Sequence, residues 1–449
     1  MSTNNLRQNW SSRLTYILTV AGATVGFGAT WRFPYLVGEN GGGAYVLLFC
    51  LAMILIGIPM ILVENVIGRR RASNSLDAFG GSYNGKPVHK AWKAVGWLGL
   101  AGAFGIMAYY MVLGGWVLTY IVNLIGGGLD VSQPLGADTT KAFFAEHIHN
   151  RPLSVLFYTL LFVLANYWIL TKGVIGGIEK AAKFLMPLLF VFLIFMVIRN
   201  VTLPGAAEGI RFYLQPDFSK ITPQLFVFVL GQVFFALSLG FGVMITLSSY
   251  LDKKENLVQT AVITAVVNTL IAVLAGFMIF PSLFSFGVAP DSGPTLVFQS
   301  LPIVFSNMWA GTMFAVSLLL IAALTTSLTI YEVLITALQE KTRLPRRTAI
   351  VLVLGGIFLL GNVPSVLGDN LWQQVRLFGL SIFDAFDFAS GNILFMLTAL
   401  GSALFVGFVM KDEAREELGS NSRFTGLWFA YVKYFIPFVI LLIFVSNLI

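Results

Sequence analysis

Two short strings of this sequence match, Val25-Gly26-Phe27-Gly28 and Leu239-Gly240-Phe241-Gly242, and each lies within an apolar run long enough to cross a bilayer. Glycine loses more backbone entropy in a helix than any other residue and packs nothing, so both strings read as helix breaks. Paired breaks in two halves of a chain mark an inverted-repeat membrane fold. There the unwound backbone of two helices lines a site for a solute and its driving ion. Composition agrees with a bilayer as the solvent. The chain is 57% hydrophobic and 11% charged, with a mean hydropathy of +0.83, whereas a soluble domain carries about 25% charged residues. A soluble enzyme is excluded on that ground.

Apolar runs of about 20 residues read as membrane helices. Eleven are present, near 14–36, 42–68, 92–125, 153–171, 181–202, 226–250, 258–286, 306–339, 348–367, 379–410 and 426–448. The first run continues past Trp31 and Phe33 without a small-residue cleavage site, so it reads as a retained helix and not a signal peptide. The intervening segments near 69–91, 126–152 and 203–225 are too short for a soluble domain, and 1–449 reads as one membrane domain.

With the N-terminus inside, twenty Lys and Arg fall on inner segments and six on outer ones, namely Lys141, Arg151, Arg199, Arg211, Lys220 and Arg376. That bias places the N-terminus in the cytoplasm and the C-terminus outside. It also accounts for the net charge of +7 without nucleic-acid binding. Cys50 is the only cysteine, so no intrachain disulfide forms. His147 and His149 have no third ligand nearby in sequence and read as a solvated loop rather than a metal site.

Ionisable and hydroxylic residues inside spans are the functional candidates. Arg32 follows the first break and Asp387 lies near the outer end of the tenth run; they either pair across an outer vestibule or face water separately. Glu64, beyond Gly57-Ile58-Pro59, either accepts N–H groups freed by an unwound neighbour or sits at an interface. Thr325-Thr326-Ser327 precede Glu332 in the eighth run. Their hydroxyls either bond within the bundle or ligate a hard cation. Gly22 and Gly26 also fit small-xxx-small helix packing, but the duplicated break favours unwinding. No strand precedes either glycine string, so neither is a nucleotide-binding loop.

These residues resemble the neurotransmitter:sodium symporter family, in particular its bacterial amino-acid transporters, over nearly the whole chain. The carriers are Trp10-Ser11-Ser12-Arg13-Leu14, the first break followed by Trp31-Arg32-Phe33-Pro34-Tyr35, Glu39-Asn40-Gly41-Gly42-Gly43-Ala44, and Tyr109-Tyr110…Trp116. Further on, Gly231-Gln232-Val233-Phe234-Phe235-Ala236-Leu237-Ser238 leads into the second break, and Ala322-Ala323-Leu324-Thr325-Thr326-Ser327 stands in the eighth run. The resemblance implies an all-α membrane protein of the leucine-transporter fold. It would have eleven helices, with helices 1 and 6 broken, in a 5+5 inverted repeat. Repeat one would span about 14–202, repeat two about 226–410, and an extra helix about 426–448.

The resemblance further implies a substrate pocket. Amides of Phe27 and Gly28 and the Tyr110 hydroxyl would meet a carboxylate. Ala23, the carbonyls of Thr24, Phe235 and Ala236, and the Ser238 hydroxyl would surround an amino group. Ile106, Phe241, Thr326 and Ile330 would line the side-chain space. Monoamine-carrying relatives place an aspartate where Gly26 stands, so the substrate here is expected to bring its own acid. A sodium ion would be held by carbonyls of Gly22, Val25 and Ala322 and hydroxyls of Thr325 and Thr326.

A second sodium site is degraded. Ala29 and Ala236 replace expected ligands, which leaves Asn268 and the Thr24 carbonyl, unless the Thr24 hydroxyl or a water compensates. Chloride independence follows in the same way from Phe49, Ala236 and Ala272, because Gln232 and Asn268 alone make no anion site. Outer gates would be Arg32 and Asp387, with Tyr110 and Phe235 closing over the substrate. Inner gates would be Arg7, Trp10, Ser249, Tyr250 and Glu340.

The expected function is therefore Na+-coupled import of a small amino acid or amino-acid-like solute with one sodium, by a monomer or weak dimer in the bacterial cytoplasmic membrane. The alternatives are a proton-coupled carrier, or a substrate-binding sensor or passive channel on the same scaffold. No nucleophile–base pair or metal cluster points to an enzyme.

Overall fold

The computed structural model describes residues 9–26, 28–287, 289, 296–307, 311–365, 374–419 and 423–446. Helices dominate because a backbone in lipid must satisfy its own N–H and C=O groups. Among the described residues, eight helices are long and apolar enough to cross a membrane: Gly43–Arg71, Lys90–Ile125, Pro152–Leu170, Val174–Val201, Leu257–Ser285, Leu320–Thr342, Asp384–Met410 and Arg423–Ser446. Arg13–Val25 and Pro223–Ala236 are shorter apolar helices, and Arg346–Ser365 is a further helix. Several ends differ from the apolar runs. The run read as 181–202 starts a full turn or more earlier, at Val174, and the one read as 306–339 is a helix from Gly311 to Thr342.

The segments read as loops carry structure of their own. The stretch 126–152 holds the helix Ala137–Phe144, with His147 stacked on Phe143, and 203–225 holds the helix Ala206–Leu214. Within 69–91, Ser82–Tyr83 and Lys86–Pro87 form a two-strand hairpin.

Burial separates centre from rim. The Lys90–Ile125 and Leu320–Thr342 helices are buried over 83% and 89% of their most apolar stretches, against 28% for Val174–Val201 and 33% for Arg423–Ser446. The first two therefore form the core of the bundle, and the last two present their flanks to lipid.

The Arg13–Val25 helix starts on a capping box. The Ser12 hydroxyl accepts from the Thr15 N–H at 3.3 Å, and the Thr15 hydroxyl from the Ser12 N–H at 3.2 Å. It stops at Val25, and after Gly26 the chain resumes as a wide π turn, Gly28–Arg32, continued by Phe33–Glu39. The second interrupted helix runs Pro223–Ala236, then through turns to Val243–Ser248.

At the end opposite Arg32, Arg69 meets Glu417 at 2.8 Å and Lys253 meets the same carboxylate at 2.5 Å. Burial alone would raise the Glu417 carboxyl, but Lys253 and Arg69 hold it below the usual range. Glu332, read only as a polar residue within a span, is fully buried and forked by Arg346 at 2.6 and 2.9 Å.

Candidate functional site

The two interruptions lie against each other and against the Gly311–Thr342 helix. Three side chains reach carbonyls that flank the first interruption. Thr326 donates its hydroxyl to the Gly22 carbonyl at 3.0 Å, Ser238 donates to Ala23 at 3.2 Å, and Gln232 donates to Gly28 at 2.8 Å. Each bond joins segments more than 200 residues apart in sequence.

Glycine is required at two of these positions. A Cβ on Gly26 would stand 1.8 Å from the Thr326 Oγ1 and 2.8 Å from the Ala322 carbonyl oxygen. Gly240 has φ +81°, and a Cβ there would meet the Phe395 carbonyl oxygen at 2.4 Å. Ser238 itself takes the left-handed conformation at φ 51°, a strain held by its bond to Ala23.

The residues expected around the substrate are all buried where they are described. Ala23, Tyr110, Ser238 and Phe241 are each at most 2% exposed, and Ile106 and Ile330 are closed in on the two central helices. Phe27 lies outside the described residues. The Tyr110 hydroxyl faces the Ala322 carbonyl at 3.4 Å. Phe235 meets Phe241 edge-on, and Phe241 stacks on Phe395, an aromatic partner that no sequence signal identified.

Of the oxygens expected around sodium, the Thr326 hydroxyl and the Gly22 carbonyl meet across two helices, whereas the Thr325 hydroxyl bonds within its own helix. Beside the Thr326–Gly22 bond, the Thr325 hydroxyl donates to the carbonyls of Ile321 at 2.9 Å and Ala322 at 3.4 Å. Val25 is fully buried at the helix end. A set of carbonyls and hydroxyls suits a hard cation. Ser327 is not part of it, since its hydroxyl bonds the Asn166 Oδ1 at 2.7 Å. At the position expected of a second ion, Asn268 donates its amide to the Ala236 carbonyl at 3.0 Å, and Ala29 is fully buried. The Thr24 hydroxyl is committed to its own helix, on Val20 at 3.0 Å and Ala21 at 3.2 Å.

Glu64 accepts the Gly240 N–H at 2.7 Å from a fully buried position. It thereby serves a donor that the second break leaves without a helical partner. Glu64→Ala is expected to lower the thermal midpoint, because an orphaned buried N–H costs about 1–3 kcal/mol.

The two residues expected to form an outer gate do not make a direct ion pair. Arg32 lies over the Phe235 ring at 4.3 Å, while Asp387 accepts from the Tyr109 hydroxyl at 2.7 Å. Among the described residues no ion pair within 4.0 Å joins Arg32 to Asp387. At the inner end Trp10 donates its indole N–H to the Leu247 carbonyl at 3.0 Å and packs edge-on against Tyr250. Glu340 accepts from the Asn74 side chain at 2.8 Å, and Arg7 lies outside the described residues. Glu179, missed in the sequence, is buried and takes the Ser11 N–H at 3.3 Å.

Comparison with known proteins gives a consistent set of likenesses. Residues 7–134 and 143–449 match the profile of the sodium:neurotransmitter symporter family. The chain is 72% identical, over the whole of both chains, to a sodium-dependent transporter of Haemophilus influenzae. It is 38% identical to the sodium-dependent transporter YhdH of Bacillus subtilis, over 97% of each. Sodium- and chloride-dependent GABA transporter 2 of Rattus norvegicus is 25% identical, over 90% of this chain and 73% of its own length. The crystal structure of MhsT in complex with L-phenylalanine superposes with a TM-score of 0.90 at 38% identity, over 98% of this chain and 100% of that one.

Proposed function

Because the chain belongs to the sodium:neurotransmitter symporter family, we propose that it imports a small amino acid or amino-acid-like solute, coupled to one sodium ion, by alternating access. The observation that carries this reading is the triple link from Thr326, Ser238 and Gln232 to carbonyls that flank the first interruption. Solute and ion would then share one stretch of unwound backbone. The solute's carboxylate would face the amides of Phe27 and Gly28 and the Tyr110 hydroxyl, at the positive end of a half-helix. Gly26 leaves no room for a side-chain acid, which supports a solute that carries its own. The amino group would face the carbonyls of Thr24, Phe235 and Ala236 and the Ser238 hydroxyl.

Sodium would bind Gly22, Val25, Ala322, Thr325 and Thr326. Its ligands come from two helices, so their separation on inward opening releases it. One sodium moving inward contributes about 2.3 kcal/mol per 100 mV besides its own gradient. Ala29 and Ala236, whose methyl side chains offer no oxygen, support one ion and not two. Phe49 and Ala272, both fully buried and without hydroxyls, support chloride independence. In this reading the eleven helices form two inverted repeats, about 14–202 and 226–410, with 426–448 outside them. The N-terminus is cytoplasmic, the C-terminus is outside, and the protein acts as a monomer or weak dimer in the bacterial cytoplasmic membrane.

Uptake into proteoliposomes tests this, starting from neutral amino acids, since the MhsT neighbour holds L-phenylalanine. Uptake is expected with external sodium, to vanish in choline, and to be unchanged when gluconate replaces chloride. Thr326→Val is expected to raise the sodium concentration for half-maximal uptake by about tenfold, as a lost hydrogen bond to a charge is worth about 1.5–3 kcal/mol. Equal uptake in sodium and choline would sink the reading. Accumulation driven by an inward proton gradient alone would replace sodium with a proton.

A further inference from the structure

Away from the central site, the Lys90–Ile125, Gly311–Thr342 and Arg346–Ser365 helices leave a groove of about 640 Å3 on the flank of the bundle. Trp97, Leu100, Phe104, Leu338, Val353 and Gly356 line it, and Lys341 stands at its rim. Trp97 and Leu352, more than half exposed, show that it opens outward toward lipid. A second trough of about 620 Å3 meets it at Ala101 and Phe104, so the apolar floor continues along the same helix.

Charge at the rim is unevenly served. Asp77 holds Lys93 at 2.7 Å and the Asn74 amide at 3.0 Å, while Lys341 stands off at 3.8 Å. Burial works against the Asp77 charge, yet Lys93, Asn74 and Lys341 keep its carboxyl below the usual range. The neighbouring carboxylate, Glu340, is turned to the backbone and side-chain N–H groups of Asn74 at 3.0 and 2.8 Å. Lys341 therefore presents an ammonium, on a side chain 49% exposed, to an apolar groove that it helps to line.

We propose that this groove binds an anionic phospholipid of the inner leaflet, with an acyl chain against Trp97, Leu100 and Phe104 and the phosphate at Lys341. The proposal rests on the cytoplasmic placement of Lys341, not on the sodium site. Basic pockets between membrane helices on the cytoplasmic side take acidic head groups. The volume lies within the range of ligand sites, and each buried methylene of the chain adds affinity. The site also touches the inner gate. Lys341, Asp77, Asn74 and Glu340 form one chain of contacts, so a phosphate that draws Lys341 from Asp77 alters what holds Glu340.

The test is native mass spectrometry of the full-length protein in detergent, titrated with dioleoyl phosphatidylglycerol or dioleoyl phosphatidylcholine. The wild type is expected to retain phosphatidylglycerol about fivefold more than phosphatidylcholine, the effect of one basic side chain at a bilayer surface. Lys341→Gln is expected to erase that preference. Gly356→Phe, where a Cβ meets nothing within 4 Å, is expected to fill the groove and lower retention of both lipids. The preference for phosphatidylglycerol is read as a ratio within each protein, so a change in stability does not mimic its loss. Equal retention of the two lipids by the wild type, or a preference that survives Lys341→Gln, overturns the proposal. A dimer in light scattering that Gly356→Phe splits, without lipid preference, overturns it in favour of contact between copies.

Discussion

Gly26→Ala is expected to abolish sodium-driven uptake while leaving the protein folded. The added methyl would stand 1.8 Å from the Thr326 Oγ1, 2.7 Å from the Thr326 Cβ and 2.8 Å from the Ala322 carbonyl oxygen. None of these is the far end of a flexible side chain. The central helix must back away, and the Thr326–Gly22 bond at 3.0 Å goes with it. Overpacking of a core costs about 1–3 kcal/mol in stability, a modest fall in thermal midpoint. The displaced atoms are those read as sodium ligands, so the functional loss is larger. Uptake in proteoliposomes is expected to fall more than tenfold, and sodium is expected to lose its stabilising effect on thermal unfolding. Wild-type uptake in this variant would place the ion elsewhere.

Arg346→Ala is expected to be the most destabilising single change outside the site. Glu332 is fully buried, and Arg346 forks it at 2.6 and 2.9 Å while also donating to the Leu170 carbonyl at 3.1 and 3.2 Å. The Thr336 hydroxyl donates to the same carboxylate at 2.9 Å. Removing the guanidinium strands a carboxylate in the bundle, which costs about 3–5 kcal/mol. A lower thermal midpoint and lower yield measure it. The double variant Arg346→Leu with Glu332→Leu is expected to recover most of the loss, because buried pairs replaced by apolar groups are often neutral. A double variant no better than the single one would show that the arginine acts through Leu170 and not through Glu332.

The helices were legible because lipid demands little of sequence beyond length and apolarity. Runs such as 258–286 and 426–448 match Leu257–Ser285 and Arg423–Ser446 to within three residues at each end. Short helices such as Ala137–Phe144 and Ala206–Leu214 were not legible, since isolated helices of that length are marginal and gain stability from packing. Likewise Glu332 and Arg346 sit on successive helices. Only the turn between them brings the pair together.

The sequence by itself determined that this is a helical membrane bundle and where its long apolar helices lie. Apolar length acts locally and leaves a local mark. Tertiary structure alone decided which groups meet across the two interruptions: Gln232 on Gly28, Glu64 on Gly240, and Tyr109 rather than Arg32 on Asp387. Those pairings depend on the depth and rotation of helices far apart in the chain, set by the packing of the whole bundle.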